Sequence, residues 1–190
     1  RELFFLTNIK EELEFIITTI RKQYTYSTFD KNMKEKEVYV NKDKNIKVTF
    51  MGKIDKVLYK EKDDITYLVV IDYKTGSTNI NLKNMEYGLG LQLPIYLYLS
   101  SKMELKNVKV VGFYLQKLFN TTLDNSKDYD SARENNLRLE GYSIDEENIL
   151  SKFDTTYNDS KLIKGMKTTS KGFSTYSKVL SEEEINDMLD

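Results

Sequence analysis

The feature that most constrains the fold is the run Tyr67-Leu68-Val69-Val70-Ile71, which ends on Asp72-Tyr73-Lys74. A short apolar run bounded by turn residues, rich in β-branched side chains, reads as a strand covered on both faces. Such a strand is central: it requires neighbours on its edges and packed layers above and below. Charges at the end of a buried strand are costly unless an opposite charge or a metal compensates them. Whatever this chain does, the end of this strand is the first place to look.

The surrounding pattern supplies the layers. Leu3 to Tyr24 reads as an amphipathic helix, with Leu6, Ile9, Leu13, Ile16, Ile17 and Ile20 at three- and four-residue steps. Phe29, after Ser27-Thr28, is expected to anchor the connection that follows. Lys36–Asn41 reads as a first strand, Asn41–Asn45 as a turn and Ile46–Tyr59 as a second strand, with Glu61–Asp64 closing a hairpin onto the third, Ile65–Tyr73. Leu82–Lys102 has a helical pattern, although Gly88, Gly90 and Pro94 lie inside it and predict a kink or a later start. Val108–Leu115 is a further strand. The expected order is therefore αβββαβ over residues 1–118, with an extension over 119–190 in one domain. In that extension Asn120–Leu139 reads as irregular, and Ile144–Phe153 as a short helix capped by Ser143 with Glu146 closing a capping box. Leu162–Thr168 and Phe173–Val179 read as a hairpin, and Ser181-Glu182-Glu183-Glu184 as the start of a last helix. The chain opens on Arg1, already inside an amphipathic pattern, and reads as a segment of a longer protein.

Composition narrows the chemistry. The 190 residues include no cysteine and no histidine. Disulfides, thiolate metal sites, iron–sulfur clusters, cysteine nucleophiles and imidazole bases are thereby excluded from this segment. Carboxylates, lysine, tyrosine and hard metal ions remain. A formal net charge of −1 gives no global attraction to a polyanion. No apolar run approaches the ~18 residues of a membrane span, and no signal-peptide pattern opens the chain, so a cytoplasmic protein is expected.

Asp72 and Lys74 lie two apart on a strand and so share a face. On its own, Asp-x-Lys at a strand end reads as a solvated turn with a local ion pair. Asp55 ends the preceding strand, and the hairpin between them brings it to about the height of Asp72. Two carboxylates that close raise each other's pKa unless a divalent cation sits between them, and oxygen-only ligands suit Mg²⁺ or Mn²⁺. Gln92 and Tyr96 are four apart and face one way from the following helix; alone they read as a surface glutamine and a core tyrosine.

Taken together, Gly52-x-x-Asp55, Asp72-x-Lys74-Thr75-Gly76 and Gln92-x-x-x-Tyr96 resemble the signature of the RecB-like branch of the PD-(D/E)XK nucleases. Ser27-x-Phe29 with Glu37, and Leu139-Glu140-Gly141-Tyr142 with Asp145 and Phe153-Asp154, are similar to the C-terminal nuclease domain of AddB-type helicase–nuclease subunits. The resemblance implies a restriction-endonuclease-like α/β core, a central mixed sheet flanked by helices, with a C-terminal hairpin and helix. It implies Mg²⁺ or Mn²⁺ held by Asp55, Asp72 and the Tyr73 backbone carbonyl, with Lys74 orienting or deprotonating the attacking water. Gln92, Tyr96 and, more weakly, Glu37 would support the site or contact DNA. The implied activity is phosphodiester hydrolysis, as an exonuclease of a recombination or double-strand-break repair complex, with DNA and helicase subunits as partners.

The chain departs from the family pattern in lacking the upstream histidine ligand and the four-cysteine iron–sulfur staple. Two other readings therefore stand beside the first: a DNA- or protein-binding module that kept the fold and lost catalysis, and a stand-alone nuclease of Cas4-like or phage type. Lys161, Lys164, Lys167 and Lys171, in a stretch with Phe173 and Tyr176 interleaved, are candidate DNA-backbone contacts or simply a solvated hairpin face.

Overall fold

The computed structural model describes residues 2–29, 31–42, 48–76, 78, 80–103, 105–119 and 128–189, with the backbone alone at 2, 3, 5, 31–42, 48–52 and 86. A helix, α1 (Glu2–Tyr24), leads into three strands, β1 (Lys31–Lys42), β2 (Val48–Lys62) and β3 (Ile65–Lys74). A 3-10 helix (Leu82–Tyr87) and α2 (Gln92–Ser101) cross to β4 (Val108–Lys117). Next come α3 (Tyr129–Asn136), β5 (Leu139–Ile144) and α4 (Glu147–Phe153). The chain finishes with the small hairpin β6 (Thr168–Thr169) and β7 (Gly172–Phe173), then β8 (Val179–Leu180) and α5 (Glu182–Asp187).

One mixed sheet has the order β1-β2-β3-β4-β5-β8. β1, β2 and β3 are antiparallel, whereas β3 and β4 run parallel, which requires the helical crossover that α2 provides. β3 is the centre of the sheet. Thr66 to Asp72 are all buried, and Leu68, Val69, Val70 and Ile71 have no exposure, each contributing roughly 1.5–3 kcal/mol by burial. Leu93, Leu97 and Leu99 of α2 and Phe153 of α4 close the core with them.

Several boundaries differ from the sequence reading, each for a physical reason. The helical pattern over Leu82–Lys102 is two elements: Gly88 (φ 73°) and Gly90 (φ 70°) take left-handed conformations between them. α2 therefore starts late, at Gln92, with Pro94 in its first turn, where a missing N–H breaks no helical bond. The stretch Asn120–Leu139 contains α3 at its end, N-capped by Asp128, which accepts from the Ser131 N–H at 3.2 Å; residues 120–127 lie outside the described residues, as does most of the Asn41–Asn45 turn. Ser143 is no N-cap: it lies in β5, fully buried, with its hydroxyl 2.7 Å from the Tyr114 hydroxyl. α4 begins after Glu146 without a side-chain cap. The capping box is found instead at Ser181 and Glu184, starting α5.

β5 pairs with β4, so the C-terminal part continues the central sheet. Gly141 permits that pairing: a Cβ there would stand 2.1 Å from the Phe113 carbonyl oxygen. Asp154, fully buried, ties the N-terminal connection to the C-terminal part. Its carboxylate accepts from the Thr156 N–H and hydroxyl at 2.8 and 2.7 Å and from the Ser160 hydroxyl at 2.5 Å. The adjacent backbone bridges Ser27. Phe29 is buried against Phe153, as expected of an anchor. α1 is less fully covered: Ile16 is buried, while Leu6, Ile9, Leu13 and Ile17 remain exposed. No helix among the described residues is long and apolar enough to cross a membrane.

Candidate active site

The β2–β3 ladder runs from the hairpin to the pair Lys56–Ile71 and stops there. One step further, Asp55 stands level with Asp72. With no ladder partner at that step, the Asp55 carboxylate itself accepts the Tyr73 N–H at 2.9 Å. The two strands thus part at the place where both carboxylates project.

Asp72 is 1% exposed at the end of the most buried strand. Its Oδ1 accepts from Gln92 Nε2 at 2.8 Å. Its Oδ2, fully buried, lies 2.6 Å from Lys74 Nζ in an ion pair. Lys74 donates to Gln92 Oε1 and keeps 29% of its side chain exposed. Gln92 therefore bridges carboxylate and ammonium from the first turn of α2. Its Nε2 also lies 3.1 Å from the Tyr96 hydroxyl, one helical turn on. Residues from β2, β3 and α2 meet at one end of the sheet because β3 feeds the crossover helix directly above it.

Burial raises the Asp72 pKa, the Lys74 ammonium opposes that shift, and the Asp55 carboxylate adds to it. Burial, then the charge of Asp55, also raises the Tyr73 phenol. A buried carboxylate oxygen paired with the Lys74 ammonium, level with a second carboxylate, fits a hard divalent cation with oxygen ligands. The residues that could hold it are Asp55, Asp72 and the Tyr73 carbonyl. No cluster of three or more acidic or histidine ligands occurs among the described residues.

The other sequence candidates fall at graded distances. Glu37 is paired with Lys53, two positions before Asp55. The same register, passing from Lys34–Lys56 to Lys36–Ile54, leaves Glu35 level with Asp55, a position that only register counting finds. Across the sheet, Asp72 pairs with Leu115 and Leu115 with Glu140, so Glu140 stands two strands from Asp72 in the same row, roughly 10 Å away. Lys164 and Lys178 pair with Glu140 at 3.5 and 3.8 Å. Lys161 pairs with Asp159 at 3.2 Å. Lys167 and Lys171 belong to the hairpin region and make no ion pair among the described residues. Sequence spacing gives no hint that Lys178 and Glu140 meet; the row that unites them with Asp72 depends on sheet order.

The sequence pattern of the PD-(D/E)XK nuclease superfamily matches residues 6–190. The chain is similar to an ATP-dependent helicase/deoxyribonuclease subunit of Natranaerobius thermophilus, 34% identical over 152 residues covering 74% of this chain and 13% of that protein. The subunit of the same description from Carboxydothermus hydrogenoformans is 35% identical over 127 residues, 62% of this chain and 12% of that protein. The one from Lachnoclostridium phytofermentans is 27% identical across 100% of this chain and 18% of its own length. The chain thus spans less than a fifth of the length of these relatives.

Proposed function

This chain belongs to the PD-(D/E)XK nuclease superfamily, and we propose from that premise that it is a metal-dependent deoxyribonuclease domain acting as an exonuclease in a helicase–nuclease of DNA recombination and repair. The observation that carries the reading is the level pair Asp55 and Asp72 at the open end of the β2–β3 ladder, with Lys74 against the buried oxygen of Asp72. Asp55, Asp72 and the Tyr73 carbonyl would hold Mg²⁺ or Mn²⁺. Bound there, the cation supplies Lewis acidity and lowers the pKa of a water nucleophile.

The chain's own groups do the rest. Lys74 leaves Asp72 for the incoming phosphate, orients the attacking water and meets the charge that develops on the phosphoryl oxygens. Gln92 holds both Asp72 and Lys74, so neither rotates away from the phosphate when the ion pair opens. Tyr96 steadies Gln92 in turn. The water oxygen bonds to phosphorus as the bridging P–O bond breaks, and the water's proton passes through solvent to the departing oxygen, an in-line displacement that mainly requires positioned groups. Lys164 and Lys178, both paired with Glu140 in the row of Asp72, would take the flanking phosphates, with Lys161, Lys167 and Lys171 further along the hairpin. Their pairs with Glu140 and Asp159 are partly exposed and weak enough for phosphate to displace.

A rival reading, DNA binding without cleavage, is favoured by one fact: two carboxylates, not three, form the donor set among the described residues. Titration with Mn²⁺ followed by electron paramagnetic resonance separates the two. Saturable binding in the wild-type chain, lost in Asp55→Asn and Asp72→Asn, is the expected result; binding equal in all three would sink the metal-dependent reading.

A further inference from the structure

Between β3 and α2, residues 80–91 lead into Gln92 at the rim of the site, and their path is fixed locally. Asn81 Oδ1 accepts the Lys83 N–H at 3.1 Å, and the Gly88 and Leu89 N–H groups return to the Met85 and Asn84 carbonyls at 2.8 and 3.0 Å. Thr78 donates to Glu140 at 3.0 Å and ties the segment to β5. Against it lies a cavity of about 120 Å³ whose lining includes Lys74, Gln92 and Asn84 together with the apolar Leu82, Met85 and Leu115. Neither Asp55 nor Asp72 lines it, so it is separate from the metal donors. The Asn84 side-chain amide makes no hydrogen bond among the described residues. Beside the cavity, Tyr87 is 79% exposed and Leu89 61%.

These features match the parts of a nucleotide. Apolar walls accept a planar ring, a free amide offers donors and an acceptor to its edge, and the lysine on the lining would meet the phosphate. A single heterocyclic ring would fit against the segment, with its sugar and phosphate on the open side near Lys74. A base enters such a slot only when unpaired. Exposed tyrosine next to a strand's path is the usual stacking platform for a following base.

Resting on the nuclease reading, we infer that this cavity is a nucleobase pocket. It receives the base of the nucleotide beside the scissile phosphate, held at its edge by Asn84, with Tyr87 stacking the next base. Cleavage would therefore select an unpaired strand by its bases as well as its backbone.

The test uses single-stranded oligonucleotides carrying one abasic site at successive positions. For the wild-type chain, one abasic position next to the cut should slow cleavage there about tenfold. Asn84→Ala should slow cleavage of the intact strand by a similar factor, with no further loss from the abasic site. Asn84→Asp keeps the shape, removes both donors, and should behave alike. Equal rates on intact and abasic strands by the wild type, or unchanged rates in both variants, would overturn the pocket. A second arm places 2-aminopurine at the same position and follows its emission on binding with Ca²⁺. Should the wild type cut nothing, the nuclease reading fails, and this arm still decides the pocket. Quenching in the wild type that is lost in Asn84→Ala supports it, and emission unchanged by the wild type refutes it.

Discussion

Asp72 concentrates the conflict between stability and chemistry in a single side chain. Its carboxylate is buried, its pKa is raised chiefly by that burial, and one oxygen depends on the Lys74 ammonium alone among the described residues. A carboxyl whose folded pKa lies above its unfolded value of about 3.9 holds its proton longer in the folded state than in the unfolded chain. Stability from this group is therefore full below about pH 4 and falls as pH rises through the raised folded pKa. Asp72→Asn should remove that fall. At neutral pH without metal it is expected to melt about 2–4 °C higher than wild type, on the order of 1 kcal/mol, while losing cleavage. Thermal melts at about pH 4 and about pH 7.5 check this, and a variant that melts lower at both would contradict it. Asp72 and Lys74 are legible as a pair because a period of two puts them on one face whatever the rest of the fold does. That Asp55 stands level with Asp72 is only partly legible, since the height depends on how tightly Asp63 and Asp64 turn the hairpin. Both adopt positive φ there, 53° and 64°, and shorten the loop to two residues.

At the level of elements, β5 holds the instructive mismatch. Leu139, Gly141 and Ser143 alternate as its buried side, yet glycine and serine in the apolar positions hide a strand from any reading of hydrophobic period. Each is small or polar for a packing reason: Gly141 lies against the Phe113 carbonyl, and Ser143 answers the buried Tyr114 hydroxyl. Gly141→Ala should force β4 and β5 apart and cost about 3 kcal/mol or more, read from urea unfolding. A loss under about 1 kcal/mol would show that the strands adjust freely. The helix after β3 misleads for the opposite reason. Leucine and tyrosine continue at helical spacing through Gly88 and Gly90; those glycines and Pro94 predict a kink or a later start, and the two left-handed turns decide for a start at Gln92. That late start places Gln92 in the first turn, directly over Asp72 and Lys74.

Across the whole molecule, the sheet converts sequence-distant residues into one row. Asp55, Asp72, Leu115 and Glu140 stand level on four adjacent strands, and Glu140 draws Lys164 and Lys178 to the same rim. A net charge of −1 hides this local gathering of cations. Lys164→Ala and Lys178→Ala should each weaken single-strand binding and lower the slope of log K against log salt by roughly 0.7–1. Fluorescence anisotropy titrations at salt concentrations from about 50 to about 200 mM would detect it; slopes equal to wild type would remove both lysines from the strand's path. The central sheet and its buried strand can be anticipated from apolar runs alone, whereas the row cannot, because it depends on strand order and register.

The most direct measurement of the central claim is cleavage of an end-labelled single-stranded oligonucleotide by the purified chain with Mn²⁺, with EDTA, and with Asp72→Ala and Lys74→Ala in place of the wild type. The account predicts products with Mn²⁺ in the wild type alone and a loss of at least about a thousandfold in each variant, the scale of removing a main electrostatic contributor. Cleavage that persists in EDTA, or that both variants retain at the wild-type rate, would contradict it.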